Sequence, residues 1–308
     1  DGGGSKTCAV VTDASFQVLG EGLSGPSNYL RVGVEPAVES VAGAIGLACE
    51  RAGIGLERVT AAGIGLAGVD HPKHHRTMYG ALERRLRLRE LVLVGDAQSA
   101  VAGATNLAPG VVVIAGTGSV ALGVDAKGRT ARSGGWGPTM GDEGSGYDIA
   151  RRALAAVAGA LDGRAPATSL TRRVCEHLGV SSPEDLPAVV YDPARGSQQQ
   201  IASLGRIVAE EARCGDPVSR EIVARAGRDL GAAMAAVIRR LGLRNQAFPV
   251  AYVGGVFGVG DLILDELRRA LAEVAPRAYL VEPLHGPAVG AAKLAAAHHR
   301  EMPVASGL

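Results

Sequence analysis

Two short turns rich in glycine and hydroxyl side chains, one opening each half of an alternating strand–helix pattern, limit the folds open to this chain most strongly. The first is Gly3-Gly4-Ser5-Lys6-Thr7, which leads into Thr7-Cys8-Ala9-Val10-Val11. The second is Gly116-Thr117-Gly118-Ser119, which ends the apolar run Val111-Val112-Val113-Ile114-Ala115 and continues as Val120 to Val124. Glycine lets the backbone turn sharply and brings N–H groups close to phosphate oxygens. The hydroxyls of Ser5, Thr7, Thr117 and Ser119 add donors, and Lys6 adds a point charge. One such turn is explained by steric need at a hairpin. A matched pair points to clamping the phosphates of a nucleotide from two sides.

The pattern around these turns is that of an α/β protein. Strands are expected at 7–11, 59–66 and 91–94, with Phe16 to Gly20 as a hairpin partner of the first. Helices are expected from Pro36 to about Arg51, from His71 to Leu86, and from Asp96 to about Asn106. A second cycle begins at Val111, with Asp125-Ala126-Lys127-Gly128 turning its hairpin. Residues 145–241 read as mainly helical. A strand at 250–253 ends at Gly254-Gly255, a helix runs from about Asp261 to Val274, a short strand covers 278–281, and an alanine-rich helix runs from Pro287 to His298. The resulting domain expectation is an N-terminal domain over 1–106, completed by 287–308, and a C-terminal domain over 107–286 with a helical insertion. Ligands of such layers bind at the strand ends.

Composition excludes several classes. The 32 basic and 31 acidic residues leave a net charge of +1, without the basic excess that nucleic acid or a membrane surface requires. Lysine occurs only at positions 6, 73, 127 and 293, which sets Lys6 apart within its glycine run. Cys8, Cys49, Cys175 and Cys214 lie far apart, with neither the spacing of a zinc site nor that of a disulfide framework. No apolar stretch approaches the roughly 20 residues of a membrane span, and no signal peptide precedes the first glycines. A reduced, soluble, cytoplasmic protein is expected. Asp1-Gly2-Gly3-Gly4 reads as a strand end and its turn, so the chain is expected to begin inside a longer strand.

Other motifs narrow the chemistry. There is no G-x-x-x-x-G-K-[ST], so the phosphate turns are not a P-loop. Gly63-Ile64-Gly65-Leu66-Ala67-Gly68 matches G-x-G-x-x-G, but Val69-Asp70-His71-Pro72 breaks the chain where a dinucleotide-binding helix has to open. Asp96 ends an apolar strand, where a carboxylate reaches the ligand cleft and can take the proton of an attacking hydroxyl. The same position also suits a helix N-cap, and the strand alone leaves both roles open. Asp142 and Glu143 lie in a loop, Gly134 to Ser145, that holds five glycines and the only Trp. Carboxylates there can accept from vicinal sugar hydroxyls, or cap the helix that follows. His71, His74 and His75 cluster at a helix start without a metal-binding pattern.

In this order, the opening Asp1 to Thr7 segment, Gly25-Pro26-Ser27-Asn28, Gly95-Asp96, Ala115 to Ser119, and the Gly-Gly-Trp-Gly…Gly-Asp-Glu-Gly-Ser loop resemble the N-acetylglucosamine kinases and the wider BadF/BadG/BcrA/BcrD-type ATPase family. Tyr252-Val253-Gly254-Gly255-Val256-Phe257 looks like that family's adenosine motif, and Pro287-Ala288-Val289-Gly290-Ala291 like its final helix. The resemblance spans nearly the whole chain. It implies the actin/hexokinase-type fold, with two ribonuclease-H-like domains and an interdomain cleft. It implies ATP and Mg²⁺ as cofactors, with phosphates on Gly3, Gly4, Ser5, Lys6, Thr7, Gly116, Thr117, Gly118 and Ser119, and adenosine at Gly254 and Gly255. Asp96 becomes the base acting on a sugar 6-hydroxyl. Asn28, Gly135, Asp142 and Glu143 become substrate contacts, and Asp1 places Mg²⁺ through water.

The implied reaction is phosphorylation of an amino sugar, N-acetylglucosamine foremost, by a homodimer that closes over its substrates. Animal members carry Asn after Gly-Thr-Gly-Ser where this chain has Val120, so glucosamine stays open as the substrate. Two other classes compete. A reductase- or dehydratase-activating ATPase needs cysteine ligands for an iron–sulfur cluster at a dimer axis, a setting that Cys175 and Cys214 lack. A sugar-sensing regulator carries a helix-turn-helix ahead of the first turn.

Overall fold

The computed structural model describes residues 1–4 and 6–301. The chain divides into two compact units. One comprises Asp1–Gly110, Gly123–Thr130 and the segment from Glu282 onward, and the other Val111–Leu122 and Ala131–Val281.

In the first unit, β1 (Thr7–Thr12) and β2 (Val18–Ser24) form an antiparallel pair with Thr7 opposite Ser24. The second strand starts later than the sequence pattern suggests. Asp13 Oδ1 accepts the N–H groups of Ser15 and Gln17, and Phe16 turns left-handed at φ 65°, so residues 13–17 are spent on the turn. A parallel pair, β3 (Ala62–Leu66) and β4 (Leu91–Gly95), sets Leu66 opposite Gly95. The expected strand start at Val59 is lost because Leu56–Arg58 coils into a 3₁₀ turn. Gly2 bridges both pairs, antiparallel to Thr7 and parallel to Leu66. A cavity of about 390 Å³ lies between β1 and residues 60–64, with Val41, Ile45 and Ala292 on its walls.

Helices α1 (Tyr29–Val32), α2 (Val34–Arg51), α3 (Pro72–Leu86) and α4 (Asp96–Thr105) complete this unit with α12 (Pro287–Glu301), the last in the chain. In α2, Ala37, Val38, Val41, Ala44 and Ala48 are buried, the single stripe that a 3.6-residue period produces. The G-x-G-x-x-G glycines serve packing. A Cβ on Gly63 would stand 1.8 Å from the carbonyl of Ala291, so only glycine lets α12 lie this close to β3.

The second unit is built on a five-stranded sheet in the order β7 (Thr130–Gly134), β6 (Ser119–Val124), β5 (Gly110–Ala115), β8 (Pro249–Val253), β9 (Tyr279–Val281). β5 and β8 run parallel, Val111 opposite Val250 and Ile114 opposite Val253, and β9 runs parallel to β8. Near-continuous apolar burial of β5 marks a strand covered on both faces. Its cover comes from α5 (Gly146–Leu161), α6 (Leu170–Leu178), α7 (Leu186–Val190), α8 (Gln198–Ala202), α9 (Leu204–Cys214), α10 (Pro217–Leu241) and α11 (Asp261–Val274). Ile149, Ala153 and Val157 of α5 and Leu230, Met234 and Ile238 of α10 are buried in one core with Val111 and Val113. Each fully buried Leu or Ile of this kind contributes roughly 1.5–3 kcal/mol. Among the described residues, no helix is long and apolar enough to cross a membrane.

Candidate active site

The first unit gathers its candidate residues where β1, β3 and β4 meet the loops that follow. Gly3 accepts the N–H groups of Ser27 and Asn28 on its carbonyl, both at 3.0 Å, and its own N–H donates to Lys6 O at 3.1 Å. Thr7 is buried and its hydroxyl donates to Gly25 O at 2.7 Å, with Ser27 Oγ 2.8 Å away. The turn and the Gly25–Asn28 segment are thereby one structure. Asn28 is half-buried and caps α1, its Oδ1 accepting from Leu30 N–H at 3.2 Å. Lys6 and Gly4 are exposed, and Ser5 lies outside the described residues.

Asp96 is the first residue of α4 and half-buried at the carboxyl end of β4. The N-cap position belongs to Gly95, whose N–H is taken by Gln98 Oε1 at 3.2 Å. One oxygen of Asp96, Oδ1, accepts the N–H of Ala97 at 2.8 Å. That bond orients the carboxylate. Ser99 Oγ donates to the Asp96 carbonyl at 2.9 Å and fixes the backbone beneath it. Asp70, which the sequence reading did not single out, ends the loop after β3 and lays a carboxylate oxygen 2.2 Å from where a Cβ of Gly95 would stand. The parallel register, Leu66 opposite Gly95, is the signal that places these two loops together. Asp1 is half-buried, and among the described residues no three acidic, His or Cys side chains are placed to hold a metal ion. A Mg²⁺ ion here fits only as it commonly binds, on one carboxylate with water and substrate phosphates completing its shell.

In the second unit the Gly116–Ser119 turn is locked through its carbonyls. Gly146 N–H donates to Gly116 O at 2.8 Å and Tyr147 N–H to Thr117 O at 3.4 Å. Two of the first amides of α5, which have no partner within the helix, are thus consumed by the turn. The amides of Thr117 and Gly118 make no turn hydrogen bond of their own among the described residues. They stand beside a helix N-terminus, an arrangement that receives anions. Ser119 Oγ is committed elsewhere, donating to Glu143 O at 2.7 Å.

Asp142 packs on this turn. A Cβ on Gly118 would lie 2.8 Å from Asp142 Oδ2, and the side chain is only 5% exposed. Its backbone is left-handed, φ 58°, and Ser145 rather than Asp142 caps α5 by accepting from Asp148 N–H. Burial pushes the Asp142 carboxyl above its ordinary pKa, against the amides of Ser119 and Gly137 that hold it down. Glu143, its neighbour, is exposed. Gly135, at φ +70°, accepts from Arg132 Nη2 on its carbonyl. Trp136 is 71% exposed, its Cβ against Gly141.

Gly254 and Gly255 follow β8 beside the same turn. Gly254 has φ +118°, and a Cβ there would meet Ala115 O at 2.2 Å. A cavity of about 590 Å³ is lined by Gly116, Thr117, Gly146, Gly255 and, from the helical insertion, Arg206 and Arg213. The insertion's contribution was invisible in the sequence, because Arg206 and Arg213 look there like ordinary surface charge. Other candidates are structural. His71 Nδ1 accepts from Lys73 N–H as the cap of α3, and His75 Nε2 meets Leu93 O at 2.9 Å. Cys175 is buried, which pushes its thiol pKa up, whereas Cys214 is exposed.

Comparison with known proteins adds independent findings. The model of the BadF/BadG/BcrA/BcrD ATPase family matches residues 1–295. An N-acetylmuramic acid/N-acetylglucosamine kinase of Clostridium acetobutylicum is 34% identical over 295 residues, 96% of each chain. An N-acetyl-D-glucosamine kinase of Dictyostelium discoideum is 34% identical over 305 residues, again 96% of each. A solved structure of a Chromobacterium violaceum protein assigned as an N-acetylglucosamine kinase superposes with TM-score 0.73 at 30% identity, covering 94% of this chain and 95% of that one.

Proposed function

The chain belongs to the BadF/BadG/BcrA/BcrD ATPase family and has its actin-like ATPase fold, and on that premise we propose that it phosphorylates the 6-hydroxyl of an amino sugar with ATP, N-acetylglucosamine foremost. The observation that carries the reading is the second glycine turn: the carbonyls of Gly116 and Thr117 are spent on α5, the amides of Thr117 and Gly118 make no turn hydrogen bond among the described residues, and the turn abuts Asp142, a carboxylate suited to sugar hydroxyls. The roles follow from that chemistry. Gly3, Gly4, Ser5, Lys6 and Thr7 bind phosphate from the first unit, and Gly116, Thr117, Gly118 and Ser119 from the second. Gly254 and Gly255 flank the adenosine. Asn28, Gly135, Asp142 and Glu143 hold the sugar. Asp1 would help hold Mg²⁺, by way of water, and the metal when bound would neutralise phosphate charge.

Phosphoryl transfer asks little covalent chemistry of a protein. The sugar oxygen attacks the γ-phosphorus, the bond to the ADP oxygen breaks, and the hydroxyl proton passes to Asp96. The Ala97 amide, donating to Oδ1, orients the carboxylate that takes the proton. The protein works in the cytoplasm as a homodimer in this reading. Val120 keeps glucosamine as a second substrate reading, because an aliphatic side chain cannot donate to an N-acetyl oxygen.

The test is ADP release with Mg-ATP against N-acetylglucosamine, glucosamine, N-acetylmannosamine, N-acetylmuramic acid and glucose, with Asp96→Asn alongside. Sugar-dependent turnover is expected, and loss of the base is expected to lower kcat by about 10²–10⁴. A parent that no sugar stimulates, or an Asp96→Asn enzyme that matches it, ends the kinase reading.

A further inference from the structure

Behind the loop that carries Asp142 lies a buried run of charge that nothing in the proposed chemistry uses. Asp148, in the first turn of α5, is 6% exposed. Its Oδ2 accepts the N–H of Gly144 at 3.0 Å, and the same carboxylate pairs with Arg151 Nη2 and Arg152 Nη2, each at 2.9 Å. Arg152 Nη2 continues to Asp229 Oδ2 on α10 at 2.7 Å. Gly144 is held from the other side as well. It has φ +76°, and a Cβ there would meet Ala226 O at 2.6 Å and Leu230 Cγ at 2.7 Å, both on α10.

Helix α5 has a cap and a buried face that do not depend on the Asp148 carboxylate. Ser145 supplies the cap, and Ile149, Ala153 and Val157 supply the buried face. A carboxylate taken out of water costs several kcal/mol unless partners compensate it, so its effect is to be sought in what it holds. What it holds is the amide two residues beyond Asp142. Asp142 has a left-handed backbone, which costs a non-glycine residue roughly 1–2 kcal/mol and persists only where the surroundings impose it.

We infer that Asp148 is a positioning residue for sugar recognition: through Gly144 it holds Asp142 in its left-handed conformation against Gly118, with Arg152 and Asp229 anchoring it to α10. This deepens the kinase reading and rests on it for its substrate readout.

Two variants test it. Asp148→Ala removes the acceptor for Gly144 N–H, whereas Asp148→Asn retains a carbonyl oxygen there. Asp148→Ala is expected to raise the amino-sugar KM about tenfold or more, with the KM for Mg-ATP and kcat within about twofold. Asp148→Asn is expected to recover most of that loss. Amide hydrogen exchange on the ligand-free protein provides a second readout, with protection at residues 144–145 lost in Asp148→Ala and kept in Asp148→Asn. Equal rises in both KM values, a fall in kcat alone, or unchanged exchange in Asp148→Ala overturns the inference. Should the parent phosphorylate no sugar, the kinase reading fails by itself, and the exchange experiment still decides whether Asp148 holds the loop.

Discussion

In the first unit the carbonyl of Gly3 accepts the amides of Ser27 and Asn28; in the second the carbonyls of Gly116 and Thr117 accept those of Gly146 and Tyr147. Each glycine turn is therefore tied, through its carbonyls, to the segment that carries a candidate sugar contact. The contacts themselves differ. Asn28 is neutral, half-buried, and already engaged as a helix cap. Asp142 is acidic, buried, left-handed, and steadied mainly by the amides of Ser119 and Gly137, with a smaller contribution from the charge of Arg132. Six residues on, Asp148 is just as buried, yet its carboxyl lies below its ordinary pKa. Burial there is outweighed by the Gly144 amide and two guanidinium groups. Similar turns thus present two candidate contacts, one inexpensive and one held at a cost, and only the costly one offers a charged acceptor, which makes the stronger hydrogen bonds.

That asymmetry can be broken by truncation. Asp142→Ala is expected to raise the sugar KM about 10–100-fold, as loss of a hydrogen bond to a charged group does, against about 2–10-fold for Asn28→Ala. Steady-state kinetics with the sugar varied checks both, and equal effects would erase the distinction between the contacts. The turn itself offers a finer probe. Gly118→Ala drives a methyl into the Asp142 carboxylate, whereas a Cβ on Gly116 meets nothing within 4 Å. Gly118→Ala is expected to raise the sugar KM several-fold, about 1 kcal/mol of lost interaction. Gly116→Ala is expected to act on the ATP KM and leave the sugar KM within about twofold.

The smallest effect concerns protonation. A carboxyl whose folded pKa is raised contributes stability only below its unfolded pKa, and that contribution is lost as pH rises through the folded value. At neutral pH ionised Asp142 is consequently a net cost. Asp142→Asn removes the charge, and Asn adopts left-handed backbone readily, so a Tm about 2–4 °C above the parent's is expected in calorimetry, as about 1 kcal/mol produces in a domain of this size. Function follows the opposite sign. In the parent, the sugar KM is expected to climb as pH falls, at a higher pH than an ordinary carboxylate near about 3.9 allows. A KM flat down to that pH would remove Asp142's charge from sugar binding.

The sequence by itself determined the alternation of strands and helices, the two glycine turns, Asp96 at a strand end and the acidic glycine-rich loop. These are local properties: apolar periodicity, glycine conformational freedom and cap chemistry act over a few residues. It could not separate base from cap at Asp96, or contact from cap at Asp142. Only the tertiary structure gives the cap positions to Gly95 and Ser145, which takes the capping role away from Asp96 and Asp142. The same holds for Asp70 beside Gly95, for Arg206 and Arg213 at the cavity wall, and for Asp148 joined to α10 through Arg152. Each depends on a neighbour from another element: Gly95 on the adjacent parallel strand, Gly255 after β8, and Asp229, 81 positions along the chain from Asp148. Asp148 reads in the sequence as an ordinary helix-start charge and becomes a placed group because packing removes water around it, so that hydrogen bonds and ion pairs decide where its side chain points.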